Sequence, residues 1–104
     1  VKNWSEALGR SGKDFPYINS LKSMTGHCLA AAGSIETVAT ILELKEGMVF
    51  GNINCDDIHS EITAIVHKNQ IPNKTIKAAL QVSVKASFGF GDVNCCMLFK
   101  KYTT

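Results

Sequence analysis

The alternation of apolar and polar positions changes rhythm several times along the chain, and each rhythm predicts an element. From Lys2 to Arg10, Trp4, Ala7 and Leu8 fall at helical spacing and Gly9 ends the run, which predicts the closing turns of a helix whose beginning lies upstream. Ser11–Asp14 reads as a turn, Phe15–Ser20 as a short strand, and Lys22–His27, polar with one glycine, as a loop. The clearest pattern runs from Cys28 to Glu46. Cys28, Ala32, Ile35, Ala39 and Leu42 share one helical face, yet Ala31, Val38 and Ile41 make the rest apolar too, and before Glu43 the one strongly polar side chain is Glu36. A helix that is apolar all round is buried on all sides. Thr25 is placed to cap its start and Gly47 its end. Ile62–Val66 predicts a short strand and Pro72–Asn73 a turn. From Lys77 to Ala86 the pattern alternates, with Ala78, Leu80, Val82 and Val84 on one face and Gln81, Ser83 and Lys85 on the other. Val93–Lys101 forms a second strand with Val93, Cys95, Met97 and Phe99 on one face. The two strands are expected to pair antiparallel across Ser87–Asp92, a glycine-rich connection longer than a tight hairpin turn.

With 104 residues the chain is one domain, 45% apolar and 19% charged, hence globular. A domain of this size rarely surrounds a helix completely, so the all-round apolar helix implies that the chain is part of something larger. The formal charge of +2 is small and has no cluster, which excludes the electrostatic footprint of a nucleic-acid binder. No apolar run approaches the roughly 20 residues needed to span a bilayer, and the first six residues do not resemble a signal peptide. Of the four cysteines, Cys95 and Cys96 are adjacent on opposite strand faces, poor geometry for a disulfide framework, so free thiols and a cytoplasmic setting are expected. No pair has zinc-ligand spacing, and no metal or other cofactor is expected.

Candidate chemistry concentrates in two segments. Lys22 and His27 precede the long helix. The positive end of the helix dipole favours a neutral imidazole there, and a neutral histidine can donate a hydrogen bond to a developing oxyanion. A histidine that merely caps a turn fits the same position. Glu36, a carboxylate in apolar surroundings, needs a partner, and Lys22 is the natural one, as a structural ion pair, a functional one or both. Phe88-Gly89-Phe90-Gly91 sets two aromatics among glycines, a loop able to approach a ligand and offer its N–H groups, though strand connections often have this composition. His59 and His67 take no role. Cys28 reads as a core thiol rather than a nucleophile, from its place on the apolar face.

Together these residues bring a resemblance into view. Asn19-Ser20-Leu21-Lys22-Ser23-Met24-Thr25-Gly26-His27, followed by Ala31-Ala32-Gly33 and Glu36, resembles the second catalytic segment of β-ketoacyl–acyl carrier protein synthases. Ser87-Phe88-Gly89-Phe90-Gly91-Asp92-Val93-Asn94 is similar to that family's closing loop, and Asn52-Ile53-Asn54 to the extended segment between them. The resemblance implies an α/β architecture, the C-terminal part of a thiolase-like fold. Its parts would be a mixed sheet, a long buried helix between layers and a C-terminal antiparallel strand pair, with residues 1–104 forming one C-terminal portion.

The implied activity is an acyltransferase reaction, decarboxylative Claisen condensation with malonyl–acyl carrier protein in fatty acid or polyketide synthesis. By resemblance His27 hydrogen-bonds the malonyl thioester oxygen, Lys22 orders the site and pairs with Glu36, and the Phe90 N–H joins an oxyanion hole while its ring gates the acyl pocket. Gly89, Gly91 and Asn94 support that loop. The partners implied are acyl carrier protein bearing acyl and malonyl groups, the N-terminal half of the synthase and a second copy in a homodimer, with neither nucleic acid nor membrane. The family's nucleophilic cysteine and first histidine contexts do not occur in these residues, so the chain alone is expected to be inactive. Two departures stand out. A glycine of the closing loop is Asp92, and the first position of the segment before it is Lys85. Family members can hold a monovalent cation near the Glu36 position, so Lys85 is either a substitute for that cation or a solvated strand lysine. A non-catalytic chain-length-factor-like subunit and a small interaction module are the competing readings.

Overall fold

The computed structural model describes residues 1–102. Helix α1 spans Lys2–Leu8 and stops at Gly9, whose φ of 62° is left-handed, as the pattern predicts. Residues 15–20 do not form a strand. Pro16 has no N–H to give a ladder, and the segment is held by single bonds instead. The Ile18 N–H donates to the Gln70 carbonyl at 2.7 Å, and Gln70 Nε2 donates to the Phe15 carbonyl at 2.6 Å. Residues 62–66 are not a strand either. His59 accepts the Glu61 N–H and opens a helical turn over Ser60–Thr63. Val66, almost fully buried, keeps one isolated parallel bridge to Gly12.

Between these segments lie the elements that build the site. A short helix, α2, covers Lys22–Thr25 where a loop was expected, and the turn over Ser60–Thr63 is accordingly α4. The long helix, α3, covers Ala32–Glu46 and is preceded by a 3₁₀ turn over Leu29–Ala31. It does not begin at Cys28, because Leu29 has a φ of 47° that no right-handed helix can include. Thr25 is not its cap. The residue before the first turn is Ala31, without a side-chain bond, and the Thr25 hydroxyl donates to local carbonyls. Gly47 closes the helix at φ 65°, as expected.

Strands β1, Met48–Val49, and β2, Ile76–Lys77, pair antiparallel, as do β3, Val82–Gly89, and β4, Val93–Lys100. Both sheets have two strands, so the expected mixed sheet is not formed among the described residues. The β3–β4 pair holds register from Val82↔Lys100 to Gly89↔Val93. Its connection is therefore only Phe90-Gly91-Asp92, shorter than expected, with Gly91 at φ 78° and Asp92 at φ 59°. Asp is among the few residues that tolerate that region. Helix α3 packs on β3 and β1.

The burial of α3 departs most from the sequence pattern. Its inward residues are Ala32, Thr40, Glu43 and Leu44, while Ile35, Val38, Ile41 and Leu42 are exposed. The helix is thus not buried on all sides within this chain. The side facing the rest of the chain carries its polar groups, because their partners lie there. The apolar core comprises Phe15, Ala32, Leu44, Val49, Val66 and Ile71.

Candidate functional site

Two asparagines fix the stretch that leads into α2. Asn52, buried, donates from Nδ2 to the Ile18 carbonyl at 3.0 Å and the Pro72 carbonyl at 3.1 Å, and its Oδ1 accepts the Ser20 N–H at 2.8 Å. Asn19 donates to Glu43 Oε1, which also accepts the Phe50 N–H at 2.7 Å. Burial raises the Glu43 carboxyl above its ordinary range, partly offset by the Phe50 N–H and Asn19. Gly51 sits between these contacts because a Cβ there would come within 2.6 Å of the Lys74 backbone. Neither asparagine nor Glu43 was singled out as a site residue. Glu43 lies at i+7 from Glu36 with Thr40 between, a polar stripe on one helical face that could have marked it.

Lys22, at the start of α2, donates to Glu36 Oε1 on α3. From the other side Lys85 Nζ, on β3 and only 7% exposed, lies 3.2 Å from Glu36 Oε2 and donates to the Ser87 hydroxyl. Burial alone would raise the Glu36 carboxyl, but the hydrogen bonds and charges of the two lysines outweigh it and hold the group below its ordinary value. One carboxylate thus joins three elements.

His27 follows α2 and is exposed. Its Nδ1 accepts the Leu29 N–H at 3.0 Å. An accepting Nδ1 carries no proton, so in the neutral ring the proton is on Nε2. Gly26 at φ 72° and Leu29 at φ 47° flank it in the left-handed region. His59 and His67 accept the N–H two residues on in the same way, so the turn itself is a local habit of this chain. What sets His27 apart is its place in the chain, directly after the short helix that Lys22 opens and Gly26 closes.

Phe90 is fully exposed at the tip of the hairpin, with Phe88 also exposed. Gly89 and Gly91 flank it, and Asn94 is opposite Phe88 in the ladder. The structure brings Lys22, Glu36 and Lys85 together. It puts Gly89 and Phe90 at the far end of the hairpin, about 15 Å along the strand from Lys85 at ~3.3 Å per residue, with Gly91 beyond them and Asn94 on β4 opposite Phe88. Cys28 is part-buried, and its Sγ donates weakly to the Thr25 and Gly26 carbonyls. All four cysteines are free. Among the described residues no cluster of three or more His, Cys, Asp or Glu side chains could hold a metal ion, and no helix is long and apolar enough to cross a membrane. A surface cavity of about 460 Å³, lined in part by Tyr17, Cys55, Asp56, Lys68 and Lys74, contains none of the candidate residues.

Comparison with known proteins places these motifs in a family. The family model described as Beta-ketoacyl synthase, C-terminal domain, matches residues 1–56. Over 101 residues the chain is 37% identical to the 3-oxoacyl-[acyl-carrier-protein] synthase 2 of Vibrio harveyi, covering 97% of this chain and 23% of that protein. It is 34% identical over 95 residues to the putative mitochondrial 3-oxoacyl-[acyl-carrier-protein] synthase of Schizosaccharomyces pombe, covering 91% of this chain and 22% of that protein. It is 36% identical over 85 residues to the chloroplastic 3-oxoacyl-[acyl-carrier-protein] synthase II of Arabidopsis thaliana, covering 82% and 15%. The chain therefore spans about a quarter or less of the curated relatives it matches.

Proposed function

The chain belongs to the β-ketoacyl synthase family through that family's C-terminal domain, and from that premise we propose that it supplies one side of a site for decarboxylative condensation of acyl and malonyl groups on acyl carrier protein. The observation that carries the reading is the bond from the Leu29 N–H to His27 Nδ1. It commits Nδ1 as an acceptor, so the neutral ring carries its N–H at Nε2, the donor that an enolate-like thioester oxygen requires as negative charge develops on it. A neutral donor suits this step because it stabilises the oxyanion without giving up its proton.

In this reading Lys22 holds the approach to His27 by its bond to Glu36, and does no proton transfer itself. The Phe90 N–H is the second oxyanion donor. Its exposed ring closes over the acyl chain when the remaining walls of the pocket are present, with Gly89, Gly91 and Asn94 shaping the loop. The cysteine that carries the acyl thioester, and a first histidine, come from outside these 104 residues, so the chain by itself condenses nothing. The proposal includes the thiolase-like arrangement, in which a second half covers α3. The exposed stripe of Ile35, Val38, Ile41 and Leu42 supports it. It also includes a homodimeric parent enzyme in a cytoplasmic setting, which four free cysteines suit.

The test is a graft. The chain replaces the equivalent C-terminal segment of a full-length 3-oxoacyl-[acyl-carrier-protein] synthase, which is then supplied with acyl- and malonyl-loaded carrier protein. Formation of the elongated 3-oxoacyl product is expected. A folded graft that binds both substrates and makes no product would overturn the reading.

A further inference from the structure

A monovalent cation beside Glu36, as the resemblance implies, does not fit the residues present. Each oxygen of the carboxylate already faces its own ammonium, Oε1 that of Lys22 and Oε2 that of Lys85. A further cation would approach two like charges with no uncommitted carboxylate oxygen to compensate. Lys85 is itself buried, and a buried ammonium persists only where it is paired and hydrogen-bonded. Glu36 and Ser87 meet both needs.

We propose that Lys85 is a positioning residue that serves as a covalently attached cation, locking the Lys22–His27 segment and the Ser87–Gly91 loop to one carboxylate on α3. The chain of contacts is continuous. Lys22 opens α2, whose last residue precedes Gly26 and His27. Glu36 joins Lys22 to Lys85, and Lys85 reaches Ser87 at the start of the aromatic–glycine segment. A dissociable ion would leave this linkage dependent on the salt present, whereas an ammonium on β3 cannot leave. The linkage stands on these contacts alone, while its bearing on condensation rests on the function proposed above.

Nuclear magnetic resonance of the labelled 104-residue chain, held below the concentration at which it self-associates, tests it without any activity measurement. At constant ionic strength, potassium is exchanged for tetramethylammonium, which is too bulky to enter. In the wild type, amide shifts of Lys22–Gly26 and Ser87–Gly91 are expected to stay unchanged. In Lys85→Ser both segments should shift together under tetramethylammonium, and potassium should return them at least halfway. Should Lys85→Ser not fold, Lys85→Met keeps the length of the side chain without its charge, and both segments should shift whichever ion is present. Potassium-dependent shifts in the wild type would overturn the proposal. So would a Lys85→Ser chain in which only one segment moves or potassium restores neither, or a Lys85→Met chain in which both segments keep their wild-type shifts. Failure here would leave the graft experiment untouched, since His27 needs no lysine on β3 to donate its hydrogen bond.

Discussion

Two carboxylates on one helix face respond oppositely to their surroundings, and this makes them separable by pH. Glu36 is held below its ordinary value by two lysines, so its ionised form favours the folded state. That stability is present above the ordinary carboxylate value and is lost as pH falls through the depressed one. Glu43 is raised by burial, so its ionisation opposes folding, and stability falls as pH climbs from the ordinary value towards the raised one. Denaturation curves from about pH 2.5 to about pH 6.5, two units either side of the ordinary value, should show this. The deficit of Glu36→Gln relative to the wild type should shrink as the solution is acidified, whereas Glu43→Gln should gain on the wild type as pH rises. Parallel curves for both variants would rule the assignment out. At this scale the sequence was informative about chemistry but not about partners. The Lys22–Glu36 pair was legible because a carboxylate in an apolar run must be neutralised. The environment of Lys85 was not, since a strand face with serines can point to solvent or to a polar interior.

Among the elements, the short connection between Ile18 and Ser20 depends on one side chain. Asn52 makes three hydrogen bonds to backbone groups of two different segments. Asn52→Ala would leave the Ser20 N–H and the Ile18 carbonyl without these partners, at a cost of about 3 kcal/mol. That is a large share of the ~5–15 kcal/mol that holds a domain folded. Chemical denaturation should show the loss, and hydrogen exchange should show it first at residues 18–25. An unchanged midpoint would mean that the clamp contributes nothing. The same bonds explain which elements the pattern revealed. The β3–β4 hairpin and the end of α3 at Gly47 depend on local rules of alternation and glycine conformation, and both formed as expected. Residues 15–20 and 62–66 had strand-like composition but lacked a neighbouring strand to pair with. Pro16, Gln70, Asn52 and the His59 cap decided their shape, and such long-range or side-chain bonds leave no period in a sequence. The inside of α3 was misassigned for a related reason. Periodicity marks where aliphatic residues lie, and here the inward face is the one that carries Glu36, Thr40 and Glu43.

For the whole molecule, the outward stripe of α3 has a consequence in solution. Ile35, Val38, Ile41 and Leu42 are all exposed, and Phe88, Val93 and Leu98 add apolar surface on the hairpin. Contiguous apolar surface of this kind drives association. The 104-residue chain should self-associate in light scattering as concentration rises, and the double substitution Val38→Lys, Ile41→Glu should shift it towards monomer. A wild-type chain that stays monomeric across the same range would contradict the prediction. The aliphatic stripe was visible in the sequence as an all-round apolar helix, and so was its implication that a chain of this size cannot cover it.

The proposed function turns on His27 donating a hydrogen bond from Nε2 to the thioester oxygen. The most direct measurement is the rate of carbon dioxide release from malonyl–acyl carrier protein by the grafted synthase, compared among His27, His27→Gln and His27→Ala. A glutamine amide keeps a neutral donor and an alanine does not. Losing an oxyanion donor costs about 10²–10³ in rate. A fall of that order is expected for His27→Ala, with His27→Gln in between. Equal release by the histidine and alanine proteins, both folded and loaded with substrate, would contradict it.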